Sequence, residues 1–195
     1  MKASVYIATS VDGFIAREDG RIDWLPTGES AEGEDYGYQY FMDSVDVLVM
    51  GRNTFELVLT FGSWPYGEKP VVVLTSRPLD RPEFVPDSVS VMNGTPADVV
   101  QRLAERGFEH LYVDGGKTIQ RFLRAGLIQT LIISKIPVLI GRGIPLFGEI
   151  PEDIQLRHLE TLHFENGLVQ SKYRILKGEI QALREASVVL ASGKE

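Results

Sequence analysis

The sequence predicts an α/β fold with a mostly parallel sheet that ends in an antiparallel hairpin. Runs rich in Val, Ile, Leu and Tyr alternate with helical patterns along most of the chain, which is typical of parallel strands joined by helices. The last two runs are separated only by Glu-Asn-Gly at 165–167, and Asn-Gly is a strong hairpin signal. We therefore expect one domain over residues 1–176, followed by a short helix and a tail at 177–195.

The composition excludes several classes of protein. Hydrophobic residues make up 44% of the 195 residues and the net charge is −7, so we expect a buried core and no nucleic-acid surface. The absence of cysteine excludes disulfides and thiolate metal sites and fits a reducing cytoplasm. The three histidines lack metal-binding spacing, and Lys135 and Pro137 interrupt the longest apolar stretch. We therefore expect a cytoplasmic protein with neither a metal nor a membrane span.

Eight runs have the composition of strands. In chain order they cover residues 4–9, 45–50, 70–75, 89–92, 110–113, 130–136, 157–164 and 168–176. The last two form the predicted hairpin. The earlier runs alternate with helices, which indicates parallel pairing through most of the sheet.

The first two helical patterns follow the first two strands. An apolar stripe at positions i, i+3, i+4 and i+7 predicts the first helix, with Tyr38, Phe41, Met42 and Val45. The second helix is expected to begin at Asn53 or Thr54, either of which can cap a helix.

Two further helices carry clear end signals. Thr95 is the expected N-cap of the third helix, with Pro96 at its first position and Gly107 at its end. The fourth helix follows the strand at 110–113 and closes at Gly126 in the same way.

Two predicted strands end in glycine and pass directly into a helix. Asp114-Gly115-Gly116 follows one strand, and Gly51-Arg52 follows another. Glycine at such a turn permits either a plain tight turn or the close approach of a ligand to the backbone. A helix start offers free N–H groups, and parallel strands end at a common edge. Together the two turns therefore predict a site for a pyrophosphate.

A third strand end supplies further groups for an anion. Thr75, Ser76 and Arg77 follow the strand at 70–75 and offer hydroxyl donors and a guanidinium. With Arg52 they could hold one more phosphate, because guanidinium groups bind phosphate oxygens in a bidentate way. This pattern predicts NADPH as the cofactor. Neither turn matches the GxGxxG or Walker pattern, so a standard dinucleotide fold and a P-loop enzyme are not indicated.

Asp35 is the candidate catalytic residue. It precedes Tyr38 and Met42 by three and seven positions, so on a continuous helix it shares their inward face. A carboxylate there would be partly buried, which raises its pKa and suits proton donation. Glu32, Glu34 and Asp35 could instead simply complement the dipole of a helix start.

Six segments in this order resemble the dihydrofolate reductase-like family. They are SVDGFIA (10–16), DWL (23–25), VMGRNTFE (49–56), VVLTSRP (72–78), YVDGGKTIQRFL (112–123) and IPVLIGRGIPLFG (136–148). The last segment is most similar to the C-terminal reductase domain of the riboflavin-biosynthesis deaminase–reductase. The resemblance covers about residues 2 to 175.

The resemblance implies an NADPH-dependent reductase with a mostly parallel eight-stranded sheet flanked by helices. It places Ala8 and Ile15 against the nicotinamide, and Asp35 where folate reductases hold the substrate ring. The phosphate contacts it implies are Gly51, Arg52, Thr54, Gly115, Gly116, Lys117 and Thr118. Those at the 2′-phosphate and adenosine end are Thr75, Ser76 and Arg77.

Two departures count against dihydrofolate itself. Lys69 stands where folate reductases carry an arginine for the substrate tail, and Ile119 replaces a tyrosine. A chain without cysteine also cannot contain the deaminase zinc site. We expect Trp24 and Trp64 to lie near the cleft.

The leading hypothesis is hydride transfer from NADPH to a pterin- or pyrimidine-like small molecule. The alternatives are the ribosylaminopyrimidine reductase of riboflavin biosynthesis and a non-catalytic NADP-binding module. Because relatives in the riboflavin branch commonly pair, we expect a homodimer formed through the C-terminal ribbon.

Overall fold

The computed structural model describes residues 1–26 and 34–176, so the helix predicted within 177–195 lies outside the described residues. In chain order the elements are β1 (Lys2–Ser10), β2 (Phe14–Ala16), α1 (Tyr38–Asp43), β3 (Val47–Gly51), α2 (Arg52–Leu59), β4 (Val71–Leu74), β5 (Val89–Met92), α3 (Pro96–Glu105), β6 (His110–Asp114), α4 (Gly116–Arg124), β7 (Thr130–Ile136), β8 (Ile144–Pro145), β9 (Leu156–His163) and β10 (Val169–Ile175).

The central sheet confirms the predicted fold class. It has eight strands in the order β5-β4-β3-β6-β1-β7-β10-β9. The first six are parallel, whereas β10 runs antiparallel to both β7 and β9. The C-terminal hairpin turns at Asn166 and Gly167, as the Asn-Gly signal predicts.

Two hydrophobic cores cover the two faces of this sheet. Val47 and Val49 pack with α3 and α4, whereas Leu48 and Met50 pack with α1 and α2. This alternation follows the two-residue period of a strand. Strands β3 and β4 are continuous apolar runs because both of their faces are buried.

The helix starts differ in how their free amides are satisfied. In α3, Thr95 and Asp98 form a complete capping box, as the sequence predicts for Thr95. Helix α2 begins at Arg52 with Gly51 as its N-cap and has no side-chain cap. The expected Asn53 or Thr54 cap is therefore wrong, because the helix begins immediately at the end of β3.

The sequence patterns did not predict a small second sheet. Strands β2 and β8 pair antiparallel, with Phe14 opposite Pro145. The Leu146 N–H donates to the Gly13 carbonyl at 3.0 Å, and the Gly141 N–H donates to the Asp12 carboxylate at 2.8 Å. The segments 10–16 and 136–148 are thus two parts of one substructure. Neither strand was predicted, because two or three residues are too few to show a period.

Among the residues described, no helix has both the length and the apolarity that crossing a lipid bilayer requires.

Strand β9 leaves an apolar edge open. All eight of its residues are exposed, including Leu156, Leu159 and Leu162, each more than 40% accessible. An edge strand also presents unpaired backbone N–H and C=O groups, which favour pairing with another strand. We propose that two copies of the chain meet along β9, in line with the expected homodimer.

Replacing Leu159 and Leu162 together by lysine should convert a dimer into a monomer, because charged side chains oppose strand pairing at an edge. Light scattering after size-exclusion chromatography measures the mass. Leu139→Lys is the matched control, since Leu139 is an exposed leucine in a loop. A wild-type protein that stays monomeric at about 100 µM, a concentration that populates even weak pairs, would contradict this interface.

Candidate functional site

One large cleft opens where β1, β3, β4 and β6 end, with a volume of about 1270 Å³. All twelve residues predicted to bind a cofactor line it: Ala8, Ile15, Gly51, Arg52, Thr54, Thr75, Ser76, Arg77, Gly115, Gly116, Lys117 and Thr118. Asp35 does not line it. The structure therefore brings the three predicted strand ends together on one rim.

The two glycine turns interlock through threonine hydroxyls. Strands β3 and β6 are neighbours, with Met50 opposite Asp114, so Gly51 and Gly115 are one step further in the same register. A Cβ on Gly115 would overlap Thr54 Oγ1, and one on Gly51 would lie 3.0 Å from Thr118 Oγ1. The third residue of each helix thus lies against the glycine of the other turn. Close approach of another group therefore explains why both turns have glycine, and the approaching groups are the hydroxyls of Thr54 and Thr118.

Helices α2 and α4 both begin at this rim without a side-chain cap. The other two helices differ, because a side chain accepts a first-turn N–H in each: Asp35 accepts that of Gln39 in α1, and Thr95 accepts that of Asp98 in α3. The first-turn amides of α2 and α4 therefore remain available to a ligand in the cleft. Two such helix starts side by side favour an anion.

The segment 10–16 covers the second turn. A Cβ on Gly116 would lie 2.9 Å from Ile15 Cδ1 and 3.4 Å from the Pro145 carbonyl oxygen. Both β2 and β8 therefore pack directly on the start of α4. This contact places Ile15 beside the turn predicted to bind phosphate.

Arg52 has a different environment from the one expected of a phosphate ligand. Its Nε donates to Thr75 Oγ1 at 3.2 Å, and its Nη1 pairs with Glu56 at 3.1 Å. Its Nη2 donates to the backbone carbonyls of Arg77 and Pro78. Most of its donors therefore hold the loop after β4 in place. The exposed Arg77 side chain has no such partner within the described part of the chain and is the freer guanidinium.

The structure does not support the physical basis for a catalytic Asp35. Asp35 is exposed, and its carboxylate accepts the N–H groups of Gly37 at 2.8 Å and Gln39 at 3.0 Å. These bonds lower its pKa instead of raising it. The expected inward position was wrong because α1 begins only at Tyr38, so helical spacing does not extend back to Asp35. The alternative, an acid that complements the helix start, describes it correctly.

Asp114 is the acidic residue that the sequence interpretation missed. It lies at the end of β6 in the cleft, where burial raises its pKa to about 6. The Gly115 N–H donates to its Oδ1 at 2.8 Å, and no cation pairs with it among the residues described. Its position directly before Gly115 and Gly116 was the feature of the sequence that could have identified it.

Two tyrosines complete what we call the Asp114 corner, made of Asp114, Tyr38 and Tyr66. All three line the cleft. Burial raises the pKa of both phenols, and the nearby charge of Asp114 raises each further. In the described ranges neither phenol hydroxyl has a hydrogen-bond partner, so both are free to bind a ligand.

The neighbouring tyrosines are already engaged. Tyr112 OH donates to the Tyr6 carbonyl, and Tyr6 OH donates to the Tyr36 carbonyl, both at 2.8 Å. Gln170 also donates to Tyr6 OH at 3.0 Å. These bonds fix the wall behind the Asp114 corner and link it to β10.

The two departures from folate reductases have structural roles. Lys69 Nζ donates to the Met42 and Val45 carbonyls at 2.7 and 2.6 Å, which holds the end of α1, and Ile119 is fully buried. Of the two tryptophans, Trp64 contacts the cleft-lining Tyr66 edge-on at 5.2 Å, but neither indole itself lines the cleft. No cluster of three or more potential metal ligands occurs within residues 1–26 and 34–176.

The eight-stranded sheet, its antiparallel end and the cleft across its strand ends define a dihydrofolate reductase-like fold. The chain belongs to the RibD C-terminal domain family, whose sequence model matches residues 2–170.

Individual relatives agree with this assignment. The chain is 36% identical over 166 residues to the uncharacterized protein YwjB of Bacillus subtilis (strain 168), covering 84% of this chain and 92% of YwjB. A crystal structure from Shewanella sp. PV-4, of a protein named for riboflavin biosynthesis, has 39% identity and a TM-score of 0.83, covering 91% of this chain and all of that one. Dihydrofolate reductase from Enterococcus faecalis, complexed with NADP(H), shares the fold at 18% identity and a TM-score of 0.62, covering 90% of this chain and 97% of that one.

The interlock predicts a specific cost for Gly115→Ala. Gly115 has φ 87° and ψ 135°, a conformation outside the left-handed helical region, so any side chain there is strained by about 1–3 kcal/mol, and its Cβ would additionally overlap the Thr54 hydroxyl. Urea unfolding should show a larger loss for Gly115→Ala than for Gly107→Ala, which has φ 86° but open space around its Cβ. In the double variant Gly115→Ala/Thr54→Ala, only the part of the stability loss that comes from the overlap with Thr54 should be recovered. Equal losses at both glycines, with no recovery, would rule the interlock out.

Proposed function

We propose that the protein is an NADPH-dependent reductase that transfers a hydride to a pterin- or pyrimidine-like heterocycle. The supporting observation is that Gly51, Ser76 and Gly115 line one cleft, beside two helix starts that lack side-chain caps. Membership of the RibD C-terminal domain family, which the sequence motifs link to the reductase domain of riboflavin biosynthesis, favours the same activity.

The nucleotide half of the cleft fits the cofactor. The amides at the Gly51 and Gly115 turns would hold the pyrophosphate. Ser76 and Arg77 are exposed on the rim and would hold the 2′-phosphate, while Arg52 keeps their loop in position. Ala8 and Ile15 would form the surface under the nicotinamide, as the family resemblance implies.

Asp114 would supply the proton. Bound NADPH would supply a hydride and leave as NADP⁺, and a C–H bond would form as the π bond of a C=N group breaks. The π electron pair moves to nitrogen, which takes a proton from the Asp114 carboxyl. The resulting carboxylate regains a proton from solvent. A carboxyl with a pKa near 6 is partly protonated close to neutral pH, which suits this role.

Each of the two alternative functions shares one part of this proposal. A ribosylaminopyrimidine reductase performs the same chemistry on a phosphorylated substrate. A non-catalytic module binds NADPH without oxidising it. The half-buried carboxyl of Asp114 beside two free phenols favours an enzyme, because a module has no need of a protonated acid in its cleft.

Arg77→Gln should weaken NADPH binding by about tenfold or more, because it removes a charged hydrogen-bond donor from the 2′-phosphate. NADH, which lacks that phosphate, should bind equally to both proteins. Quenching of tryptophan fluorescence measures both affinities, and Trp64 lies next to the cleft-lining Tyr66. The matched control is Arg81→Gln, whose guanidinium pairs with Asp87 outside the cleft. Equal weakening of both nucleotides would contradict the assignment of Arg77.

Asp114→Asn should lower kcat by about 10² to 10⁴, the usual contribution of a general acid, without weakening NADPH binding. In the free wild-type protein the protonated form is lost as pH rises through about 6, so kcat/KM should fall above that pH. The other titratable groups facing Asp114 are the phenols of Tyr38, Tyr66 and Tyr112, whose raised pKa values keep them neutral over this range. NADPH absorbance across a panel of pterins and pyrimidines follows turnover. A variant with wild-type kcat, or an unchanged pH profile, would exclude Asp114 as the acid.

A further inference from the structure

We propose that Gln170 and Tyr36 are positioning residues for the acceptor end of the cleft, where they set the place of Tyr38 beside Asp114. Neither of the two lines the cleft, so each acts through other side chains. The inference rests on the proposed function for what that end of the cleft binds. It follows from the hydrogen bonds of Gln170, the backbone of Tyr36 and the aromatic contacts of helix α1.

Gln170 is a buried amide on β10 that reaches three acceptors. It is 8% exposed, and its Nε2 donates to Tyr6 Oη at 3.0 Å, to Ser134 Oγ at 3.0 Å and to the Tyr36 carbonyl at 3.2 Å. The Tyr6 hydroxyl donates to the same Tyr36 carbonyl at 2.8 Å. A buried amide is costly unless its hydrogen bonds are made, so Gln170 holds both the Tyr6 phenol and the Tyr36 carbonyl in place.

The backbone of Tyr36 needs such support. Its φ is 55°, and within residues 1–26 and 34–176 it is the one non-glycine residue with a positive φ. A residue with a Cβ is strained in this region and stays there only where its surroundings impose it. Gly37, the N-cap of α1, follows with φ 81°. Two consecutive left-handed residues therefore set the direction in which α1 begins.

The C-terminal hairpin also holds the side chain of Tyr36. The ring meets Phe164 edge-on at 4.8 Å, and Asn166 Nδ2 donates to the Tyr36 hydroxyl at 2.6 Å. Phe164 and Asn166 belong to the turn between β9 and β10. Both the side chain and the carbonyl of Tyr36 are thus bound to the hairpin. We call Tyr36, Phe164, Asn166 and Gln170 the Tyr36 clamp.

The clamp reaches the cleft through α1 and Tyr6. Tyr38 is the first residue of α1 and lines the cleft, and its ring contacts Tyr6 edge-on at 5.4 Å. Phe41, one turn later, lies 5.1 Å from the Tyr6 ring and 4.9 Å from that of Tyr112. Tyr6 is therefore bonded to the clamp and packed against α1. Because α1 has only six residues, a change at its start moves Tyr38 relative to Asp114.

Gln129 offers a matched control for a purely structural role. Its Oε1 accepts the Ala3 N–H at 2.6 Å and its Nε2 donates to the Leu127 carbonyl at 3.2 Å. It bonds to the same sheet but neither lines the cleft nor contacts the clamp. Gln170→Leu and Gln129→Leu should both lower stability in urea unfolding, because each removes partners of polar groups. Only Gln170→Leu should alter the acceptor end.

The first measurement follows the Tyr38 ring by NMR in protein with isotope-labelled tyrosine. The chain has seven tyrosines, and Tyr38→Phe identifies the signal of Tyr38 by its loss. We expect Gln170→Leu and Tyr36→Ala to shift or broaden that signal in the same way, because they release α1 from two sides of one clamp. Gln129→Leu and Tyr40→Ala should leave it unchanged, since Tyr40 is 82% exposed on the same helix.

The second measurement is NADPH-dependent turnover, with dihydropterin and 5-amino-6-ribosylaminouracil as acceptors. Both clamp variants should lower kcat/KM for the acceptor by about tenfold or more, because catalysis is sensitive to small displacements of the groups around the reacting atoms. NADPH affinity should stay within about twofold of the wild type, because the predicted phosphate contacts lie at the ends of β3, β4 and β6. The two control variants should match the wild type in both quantities.

A Tyr38 signal that is unchanged in both clamp variants, or that moves as far in Gln129→Leu, would overturn the inference. A wild-type kcat/KM in variants whose Tyr38 signal has moved would overturn it as well. Failure of the wild type to bind NADPH, or to reduce either compound, would count against the proposed function instead. The Tyr38 signal would still decide whether the clamp positions that side chain.

Discussion

The rest of the site depends on the reciprocal contact between two glycine turns. Thr54 Oγ1 lies where a Cβ of Gly115 would be, and Thr118 Oγ1 lies close to the corresponding position at Gly51. This contact can form because β3 and β6 are adjacent and in register, so their last residues are at the same height. It fixes the starts of α2 and α4 side by side. An anion site of backbone amides requires this arrangement, since the amides carry no adjustable side chain.

Helix capping then distinguishes the starts of α1 and α3, which lie outside the cleft, from those of α2 and α4 at its rim. Asp35 and Thr95 accept first-turn amides of α1 and α3, and neither residue lines the cleft. At the rim, α2 and α4 begin at glycine, which brings no side-chain acceptor. The first-turn amides there remain free because Gly51 and Gly115 bring no acceptor and no nearby side chain replaces it, whereas Asp35 does so for α1, whose N-cap is also a glycine. The absence of a cap is thus part of the site.

The sequence alone was sufficient to predict the sheet and the residues of the cleft rim. It was not sufficient to predict what individual side chains do there. Strand–glycine–helix transitions are local patterns, so the turns at Gly51 and Gly115 could be predicted and the structure brings them together. Asp35 could not be placed correctly, because its orientation depended on a helix boundary only a few residues away. The partners of Arg52 and the corner residue Tyr66 come from distant segments, and no spacing rule reports such contacts.

The position of Asp114 gives the proposed acid a connection to the cofactor that Asp35 would lack. Asp114 immediately precedes the turn whose amides would hold the pyrophosphate, and it accepts the N–H of Gly115 itself. Negative charge bound at that turn would disfavour the ionised carboxylate and raise the pKa of Asp114 above its value of about 6 in the free protein. The acid would then hold its proton most firmly when the hydride donor is in place. A carboxylate on the exposed start of α1, held ionised by two backbone amides, has no such dependence on the bound nucleotide.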